Sequence, residues 1–259
     1  MRIAAGLMSA LVVAFTLVGP GLSWQDATAT VAPPWAAPGP GLPLGADGLG
    51  RDVLARVLAG GRDLTLVSLV AAAAACVLGV AGGLWTGWSR GAAARAAARV
   101  ADLMLGLPLL LLCVVAVVAL PGPAAVIAGT VLGGAPLTLR TVADATAGAR
   151  HAGYVEAALA RGETPAWVLA HEVLPAHAGL VGADFGQRVV LALHLAAALN
   201  VLGFGPAPPA ADWAAMLREN LPGLGLNPAA LLGPAMALAV LAGTVAACSH
   251  AFGGRGVAR

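Results

Sequence analysis

The stretch YVEAALARGETPAWVLAHEVLP, from Tyr154 to Pro175, is a polar interruption between two long apolar runs. Good helix formers fill residues 156–160, and Gly162 offers a position where a positive φ costs little. Thr164 then stands where a helix N-cap belongs, with Pro165 at the first helical position. The pattern predicts a helix, a turn and a second helix ended by Pro175. We call this stretch the finger.

Composition sets the class of protein. Of the 259 residues, 59% are hydrophobic and 10% are charged, whereas a soluble domain carries about a quarter charged residues. The sequence therefore indicates an all-α integral membrane protein in a lipid bilayer. A formal net charge of +2 is too small to indicate a nucleic-acid partner.

The basic residues exclude one kind of site. All 14 are arginine, and a P-loop needs a lysine to reach the phosphates of its nucleotide. We therefore expect no cofactor in this chain; if ATP drives the protein, ATP and Mg²⁺ bind to another polypeptide. An intramembrane enzyme is disfavoured as well, because the chain has no His-Glu-x-x-His motif and no paired carboxylates within its apolar runs.

Charge-free runs predict six membrane spans of about 20 residues each. The first extends to about Leu22, with a cleaved signal peptide ending near Ala27-Thr28-Ala29 as the alternative. The other five are predicted at 64–89, in the two halves of 103–139 divided by Pro121-Gly122-Pro123, at 189–203 and at about 228–249.

These spans divide the chain into three parts. Residues 1–63 hold the first span, an extracytoplasmic linker and a short helix at the membrane surface. Pro33–Pro43 has the composition of an extended linker, and the apolar residues of 53–58 share one helical face. Residues 64–252 form a five-span core with a cytoplasmic loop at about 141–187. Residues 253–259 form a short cytoplasmic tail.

Arginines predict the orientation, since they concentrate on the cytoplasmic side. With the amino terminus in the cytoplasm, ten arginines lie inside: Arg2, Arg90, Arg95, Arg99, Arg140, Arg150, Arg161, Arg188, Arg255 and Arg259. Four lie outside: Arg51, Arg56, Arg62 and Arg218. The same orientation places the finger in the cytoplasm.

The finger resembles the cytoplasmic loop of permease subunits of ATP-binding-cassette importers. Glu156-Ala157-Ala158, Gly162 four residues later and the distal Leu174-Pro175 match that loop, and His171 stands where the peptide-importer branch often has a histidine. The resemblance implies that the finger docks on an ATPase. The alternative is a helical hairpin that only joins two spans.

Two outer stretches resemble the dipeptide, oligopeptide and nickel branch. Before the second span, that branch has Leu-Gly-Thr-Asp and then Leu-Gly-Arg-Asp. Here Gly45, Asp47, Gly50, Arg51 and Asp52 match and Ala46 departs, a solvated charged turn being the alternative. Farther on, Trp213 matches a Ser-Trp-Gly-x-Met-Leu motif, from which Asp212 and Ala214 depart.

The resemblance implies the second, C-type permease of a pair, with the six-span type I importer fold, in the bacterial inner membrane. The implied partners are a second homologous permease, two ATPase subunits and an extracytoplasmic solute-binding protein. The implied solute is a di- or oligopeptide, or a nickel or other metal chelate. A passive channel or membrane scaffold without ATPase coupling is the alternative.

Polar residues inside the spans carry less information. His194 and Asn200 lie in the fifth span, where a polar side chain faces either a substrate path or neighbouring protein. The three cysteines, Cys76, Cys113 and Cys248, fall inside spans without metal-ligand spacing, so we expect neither a metal site nor a disulfide.

Overall fold

A computed structural model describes residues 2–120, 122–204 and 209–253. The predicted tail beyond Gly253 lies outside these residues. The α-helices are α1 (Arg2–Leu22), α2 (Val53–Trp88), α3 (Ala92–Leu105), α4 (Leu109–Ala119), α5 (Pro123–Ala149), α6 (Gly153–Ala160), α7 (Pro165–Val168), α8 (Leu174–Ala176), α9 (Ala178–Val201), α10 (Trp213–Asn220) and α11 (Pro228–Gly253). The described residues otherwise contain one π turn, one 3₁₀ turn and isolated bridges, so the predicted all-α class is confirmed.

Five helices are long and apolar enough to cross a membrane: α1, α2, α5, α9 and α11. A sixth span results if α3 and α4 are counted together, although they meet at an angle of 96°. The third span predicted from residue 103 is therefore not one continuous helix but is broken between Leu105 and Leu109. Pro108 precedes α4 in an extended conformation (ψ 117°), and proline cannot continue the hydrogen bonding of the preceding helix.

The second span is longer than predicted. Residues 53–58 do not form a separate surface helix, because they are the first turns of the 36-residue α2. The helix continues through Gly60 and Gly61, and the Trp213 indole packs against both residues. A Cβ on Gly61 would lie 2.5 Å from Cζ2 of Trp213. The missing side chains make room for an aromatic ring.

Helices α2 and α5 pack closely against each other. Gly79, Gly83 and Gly87 repeat every four residues on the face of α2 that meets α5. A Cβ on Gly83 would lie 2.6 Å from the Cβ of Val142, and one on Gly87 would overlap the Ala143 carbonyl oxygen. Small residues at this spacing allow two helix backbones to approach closely within a membrane.

The loop predicted to be cytoplasmic is shorter than the predicted 141–187. Helix α5 continues to Ala149 and α9 begins at Ala178, so the loop covers only 150–177. Arg140 did not mark a helix end, because it lies within α5 and pairs with Asp102 of α3 at 2.6 Å.

Arg188 does not mark the start of the fifth span either, because α9 begins at Ala178. Its side chain is buried in α9 and pairs with Asp184 at 3.1 Å, and Asp184 accepts a hydrogen bond from Thr138 of α5 at 2.6 Å. A charged side chain that is paired in this way can lie inside a helix bundle. Both ends of the loop were therefore misplaced when charged residues were taken to mark the ends of the spans.

Residues 23–52, which were predicted to lie outside the cytoplasm and which we call the outer segment, fold back on themselves instead of forming the predicted extended linker. Backbone hydrogen bonds join Trp35 N to Asp47 O and Ala46 N to Ala36 O, both within 3.0 Å. The buried Asn227 amide donates to the carbonyls of Ala36, Leu44 and Ala46 at 3.0–3.2 Å. One side chain from the α10–α11 connection therefore fixes three points of the segment.

Candidate functional site

The turn of the finger is built as its sequence predicts. Gly162 has φ +89°, its N–H donates to Leu159 O, and the N–H of Glu163 donates to Ala158 O. These two bonds form a Schellman motif, which satisfies the last carbonyls of α6. The Thr164 hydroxyl then caps α7 by accepting from Trp167 N at 3.3 Å.

The far end of the finger departs from the prediction. A π turn at Leu169–Val173 follows α7, and α8 extends through Pro175 to Ala176. Pro175 therefore lies within the last helical turn, and the break comes at His177 (ψ 13°).

A small apolar core ties the finger to the bundle. Val155, Ala158, Val168 and Val173 are fully buried together and pack with Ala149 at the end of α5. Leu84 and Trp88 of α2 cover the same cluster. A displacement of the finger would therefore act directly on the ends of α2 and α5.

The two alanines of the Glu-Ala-Ala motif face opposite ways. Ala158 is fully buried, whereas Glu156 and Ala157 are exposed. The helical spacing explains this, because Val155 and Ala158 are three residues apart and share the inner face. Ala158 therefore packs inside the finger, and of the three motif residues only Glu156 and Ala157 lie at its surface.

The remaining residues singled out in the finger are His171, Leu174 and Pro175. The exposed His171 ring stacks on Trp167 with centroids 4.7 Å apart, and its Nδ1 lies 3.1 Å from Trp167 O. Leu174 is half-buried and Pro175 is exposed. His171 thus belongs to the surface of the finger, while Leu174 belongs partly to its packing.

The outer residues of the second resemblance converge on an ion cluster. Oδ2 of Asp47 lies 2.7 Å from both Arg51 and Arg56, and Oε2 of Glu219 lies 3.0 Å and 2.9 Å from the same two guanidinium groups. Asp47, Arg51 and Arg56 are nearly completely buried. We call these four residues the outer ion cluster; they are not a solvated turn.

The backbone holds Asp47 in its ionised form. Burial alone would raise the pKa of Asp47, but N–H groups of Arg51 and Leu49 and the Arg51 guanidinium outweigh it, so the pKa lies below its usual value. Gly45 and Gly50 flank Asp47 with φ +69° and +75°. Asp52 then caps α2 by accepting from Leu54 N at 2.9 Å.

Asp212 and Trp213 attach α10 to α2. Asp212 caps α10 by accepting from the N–H groups of Ala214 and Ala215, a role that the family's serine would also suit. Burial raises the pKa of Asp212 against these bonds, and the carboxylates of Asp63 and Glu219 raise it further. The Trp213 indole N–H donates to Val57 O at 2.6 Å.

The two polar residues of the fifth span lie in different environments. His194 is exposed on α9 with Nδ1 2.7 Å from Val190 O, so it does not pack inside this chain. Asn200 is buried and donates to Ala196 O and to Asp212 Oδ1. It lines a cavity of about 290 Å³ with Asp63 and Asp212. The structure does not bring His194 and Asn200 into one site.

Sequence reasoning missed half of the outer ion cluster. Arg56 was counted only for topology, and Glu219 stands 163 residues away from it in the chain. The available signal was Glu219 itself, an acidic residue in the short polar run Arg218-Glu219-Asn220 shortly after Trp213. Among the described residues, no group of His, Cys, Asp or Glu side chains could hold a metal ion.

Comparison with known proteins places the chain in a transport family. A sequence model of the family described as "binding-protein-dependent transport system inner membrane component" matches residues 79–253. The chain belongs to this family of multi-pass inner-membrane components, and its class is transporter subunit rather than enzyme. The match includes the finger and begins after the outer segment.

Two individual proteins are similar to this chain over 75% of its length. The chain is similar to the glutathione transport system permease protein GsiD of Pectobacterium atrosepticum, 30% identical over 197 residues, which are 75% of this chain and 65% of that protein. It is also 30% identical over 203 residues to GsiD of Escherichia coli O1:K1, covering 75% of this chain and 64% of that protein. The chain thus spans just under two thirds of these relatives' length.

Proposed function

We propose that this chain is a permease subunit of an ATP-driven importer, and that Glu156 and Ala157 contact its ATPase. One observation carries the proposal: α6 is anchored to α2 and α5 on one side and is exposed on the other. A segment that only joined two spans would need no small exposed residue such as Ala157 next to the buried residues that anchor α6.

The packing suggests how movement would be transmitted. The finger shares one apolar core with the ends of α2 and α5, and α8 leads within two residues into α9. Closure of two ATPase subunits, which would bind ATP and Mg²⁺, would displace three spans together. Alternating access would then require a second homologous permease and an extracytoplasmic solute-binding protein.

The orientation belongs to the same proposal. Without the buried Arg188, nine of the ten predicted inner arginines remain against four outer ones. This asymmetry favours a cytoplasmic amino terminus and a cytoplasmic finger.

The solute class is proposed from the relatives. Both relatives are named as glutathione permeases, and glutathione is a small peptide, which favours a peptide-type solute for this chain. A nickel or other metal chelate is the second candidate, because a chelate brings its own ligands. A passive channel or scaffold without an ATPase is the alternative function.

Affinity purification in mild detergent tests the coupling. The chain expressed in its own cells should retain ATPase subunits, and Ala157→Trp should lose them together with peptide uptake. Gly162→Val should also abolish uptake. Glu156→Ala should weaken retention by a few-fold, since an exposed ion pair is worth about 0.2–1 kcal/mol. The isolated chain should not hydrolyse ATP.

The matched control is Ala124→Trp, the same substitution at an exposed position in the first turn of α5. It should keep both the ATPases and uptake. If Ala157→Trp transports normally and keeps its ATPases, the finger is only a connector. If the wild-type chain retains no ATPase, the scaffold function is favoured.

A further inference from the structure

A basic cavity lies at the finger end of the bundle, between the end of α2, α3 and the last turns of α5. Its volume is about 430 Å³. Its polar lining consists of four arginines, one carboxylate and two hydroxyl groups: Arg90, Arg95, Arg140, Arg150, Asp144, Thr86 and Ser89. The arginines come from three separate elements that the fold brings together.

The charges of this basic cavity are not balanced. Arg140 is neutralised by Asp102, but Arg90, Arg95 and Arg150 form no ion pair within residues 2–120, 122–204 and 209–253. Asp144 is the one acidic residue in the lining. Three unpaired guanidinium groups around one concavity create a positive potential that favours an anion.

Two contacts hold these arginines without neutralising them. The Arg150 guanidinium lies over the Trp88 ring, 5.6 Å from its centroid. Arg95 donates to the carbonyl oxygen of Arg90. The side chains are thus positioned while their charges stay available to a ligand.

The helix α3 places the basic cavity at a membrane surface. Helix α4 lies along the spanning helix α5, with Leu109 and Cys113 facing Gly133 and Gly129. Since α3 is turned by 96° from α4, it lies across the end of the bundle rather than along it. This is the position of an interfacial helix.

The three faces of α3 fit that position. Ala94 and Ala101 are buried, Arg95 and Arg99 are exposed on a polar face, and the apolar Val100 is 55% exposed. Leu103, one turn farther along, is 73% exposed. Apolar side chains therefore stand beside the arginines, where the acyl chains of a lipid would begin.

We propose that the basic cavity binds the phosphate headgroup of an anionic phospholipid from the leaflet on the finger side. Arginine matches phosphate in planar, bidentate geometry, and basic pockets between spans are suited to such headgroups. A free phosphate ion shares the charge but cannot use Val100 and Leu103. The proposal does not depend on the proposed transport function.

Native mass spectrometry of the full-length chain in a neutral detergent tests it. Phosphatidylglycerol should bind at least tenfold more tightly than phosphatidylcholine of the same acyl chains. The triple variant Arg90→Gln, Arg95→Gln, Arg150→Gln should lose this preference, at about fivefold per arginine. The corresponding triple arginine-to-lysine variant should retain most of it, which separates lost charge from lost folding.

Single variants on one helix give the sharpest comparison. Arg95→Gln should weaken phosphatidylglycerol binding about fivefold, whereas Arg99→Gln, one turn away and outside the cavity lining, should change it less than twofold. Arg62→Gln at the outer end should have no effect. Because each is a single exposed substitution, these variants remain informative if the triple variant does not fold.

Three outcomes would overturn the proposal. The first is equal retention of the two lipids, or equal effects of Arg95→Gln and Arg99→Gln. The second is displacement of the lipid by millimolar inorganic phosphate, which would assign the site to a soluble anion. The third is unchanged lipid binding in the triple glutamine variant with loss of co-purifying ATPase, which would make the cavity a protein contact.

Discussion

The outer segment and the finger are held to the bundle in opposite ways. The outer segment depends on two arginines and two carboxylates at 2.7–3.0 Å, with both arginines buried. The finger depends on valines and alanines, and its one ion pair within the described residues, Arg161–Glu172, lies at the surface and is 3.7 Å long. One attachment buries its charges and the other leaves them in solvent.

The difference concerns how each region can move. A buried ion cluster is costly to desolvate and tolerates only one arrangement, so it specifies geometry more than it adds stability. A small apolar core has no directional bonds and can slide or repack at lower cost. We infer that the outer segment is a fixed clasp and that the finger is the adjustable attachment.

The largest test of this comparison removes Arg56. Arg56→Ala leaves Asp47 and Glu219 without one of their two cations in a buried site, and such a loss costs about 3–5 kcal/mol. Unfolding in detergent, followed by the fluorescence of Trp35 and Trp213 near the cluster, should show this destabilisation.

The matched control is Arg62→Ala, because Arg62 is exposed on the same helix and forms no ion pair within the described residues. Its effect should stay within about 0.5 kcal/mol. If the two variants unfold alike, the outer ion cluster does not clamp the segment, and the contrast with the finger loses its basis.

The two regions also differ in how far sequence could predict them. The finger is local: Gly162, Thr164 and Pro165 each carry their own backbone preference, so the turn and the start of the second helix were correctly placed. Val155 and Ala158 are three residues apart, so they lie on one face of α6. Which face of α6 is buried is decided by the ends of α2 and α5, which the sequence of the finger does not contain.

The outer ion cluster is non-local, and no short-range rule connects Arg56 to Glu219. A proline- and glycine-rich composition predicted an extended linker, because the bonds from Asn227 come from 181 or more residues away. Span ends were misplaced for the same reason. Arg140 pairs with Asp102 of α3, and Arg188 pairs with Asp184 of its own helix, which in turn accepts a hydrogen bond from Thr138 of α5. Hydropathy along the chain does not contain these contacts between helices.

A second test compares the two alanines of the finger. Ala158→Leu adds three carbons to a fully buried position and should destabilise the finger by about 1–3 kcal/mol through overpacking. Ala157→Leu at the exposed neighbour should change stability by less than about 0.5 kcal/mol. Hydrogen exchange of residues 153–177 measures both; equal loss of protection would contradict the assignment of Ala158 to the core.

The smallest test separates backbone strain from crowding. Gly162 has φ +89° with open space around its Cβ position, whereas Gly45 has φ +69° and its Cβ would overlap the Ala36 carbonyl oxygen. Gly162→Val should cost about 1–2 kcal/mol, because a β-branched residue is strained at positive φ. Gly162→Asn should restore most of this loss, since asparagine adopts that conformation more readily.

At Gly45 the same rescue should fail, because asparagine relieves the strain and leaves the overlap with Ala36 and the Asn227 amide. Hydrogen exchange of residues 153–177 measures the stability of the finger, and Trp35 fluorescence during unfolding measures the stability of the outer segment. A finger in which Gly162→Asn is as damaging as Gly162→Val would mean that Gly162 is required for contact rather than for its φ. A tolerated Gly45→Asn would mean that the outer segment can shift, and it could then no longer be regarded as a fixed clasp.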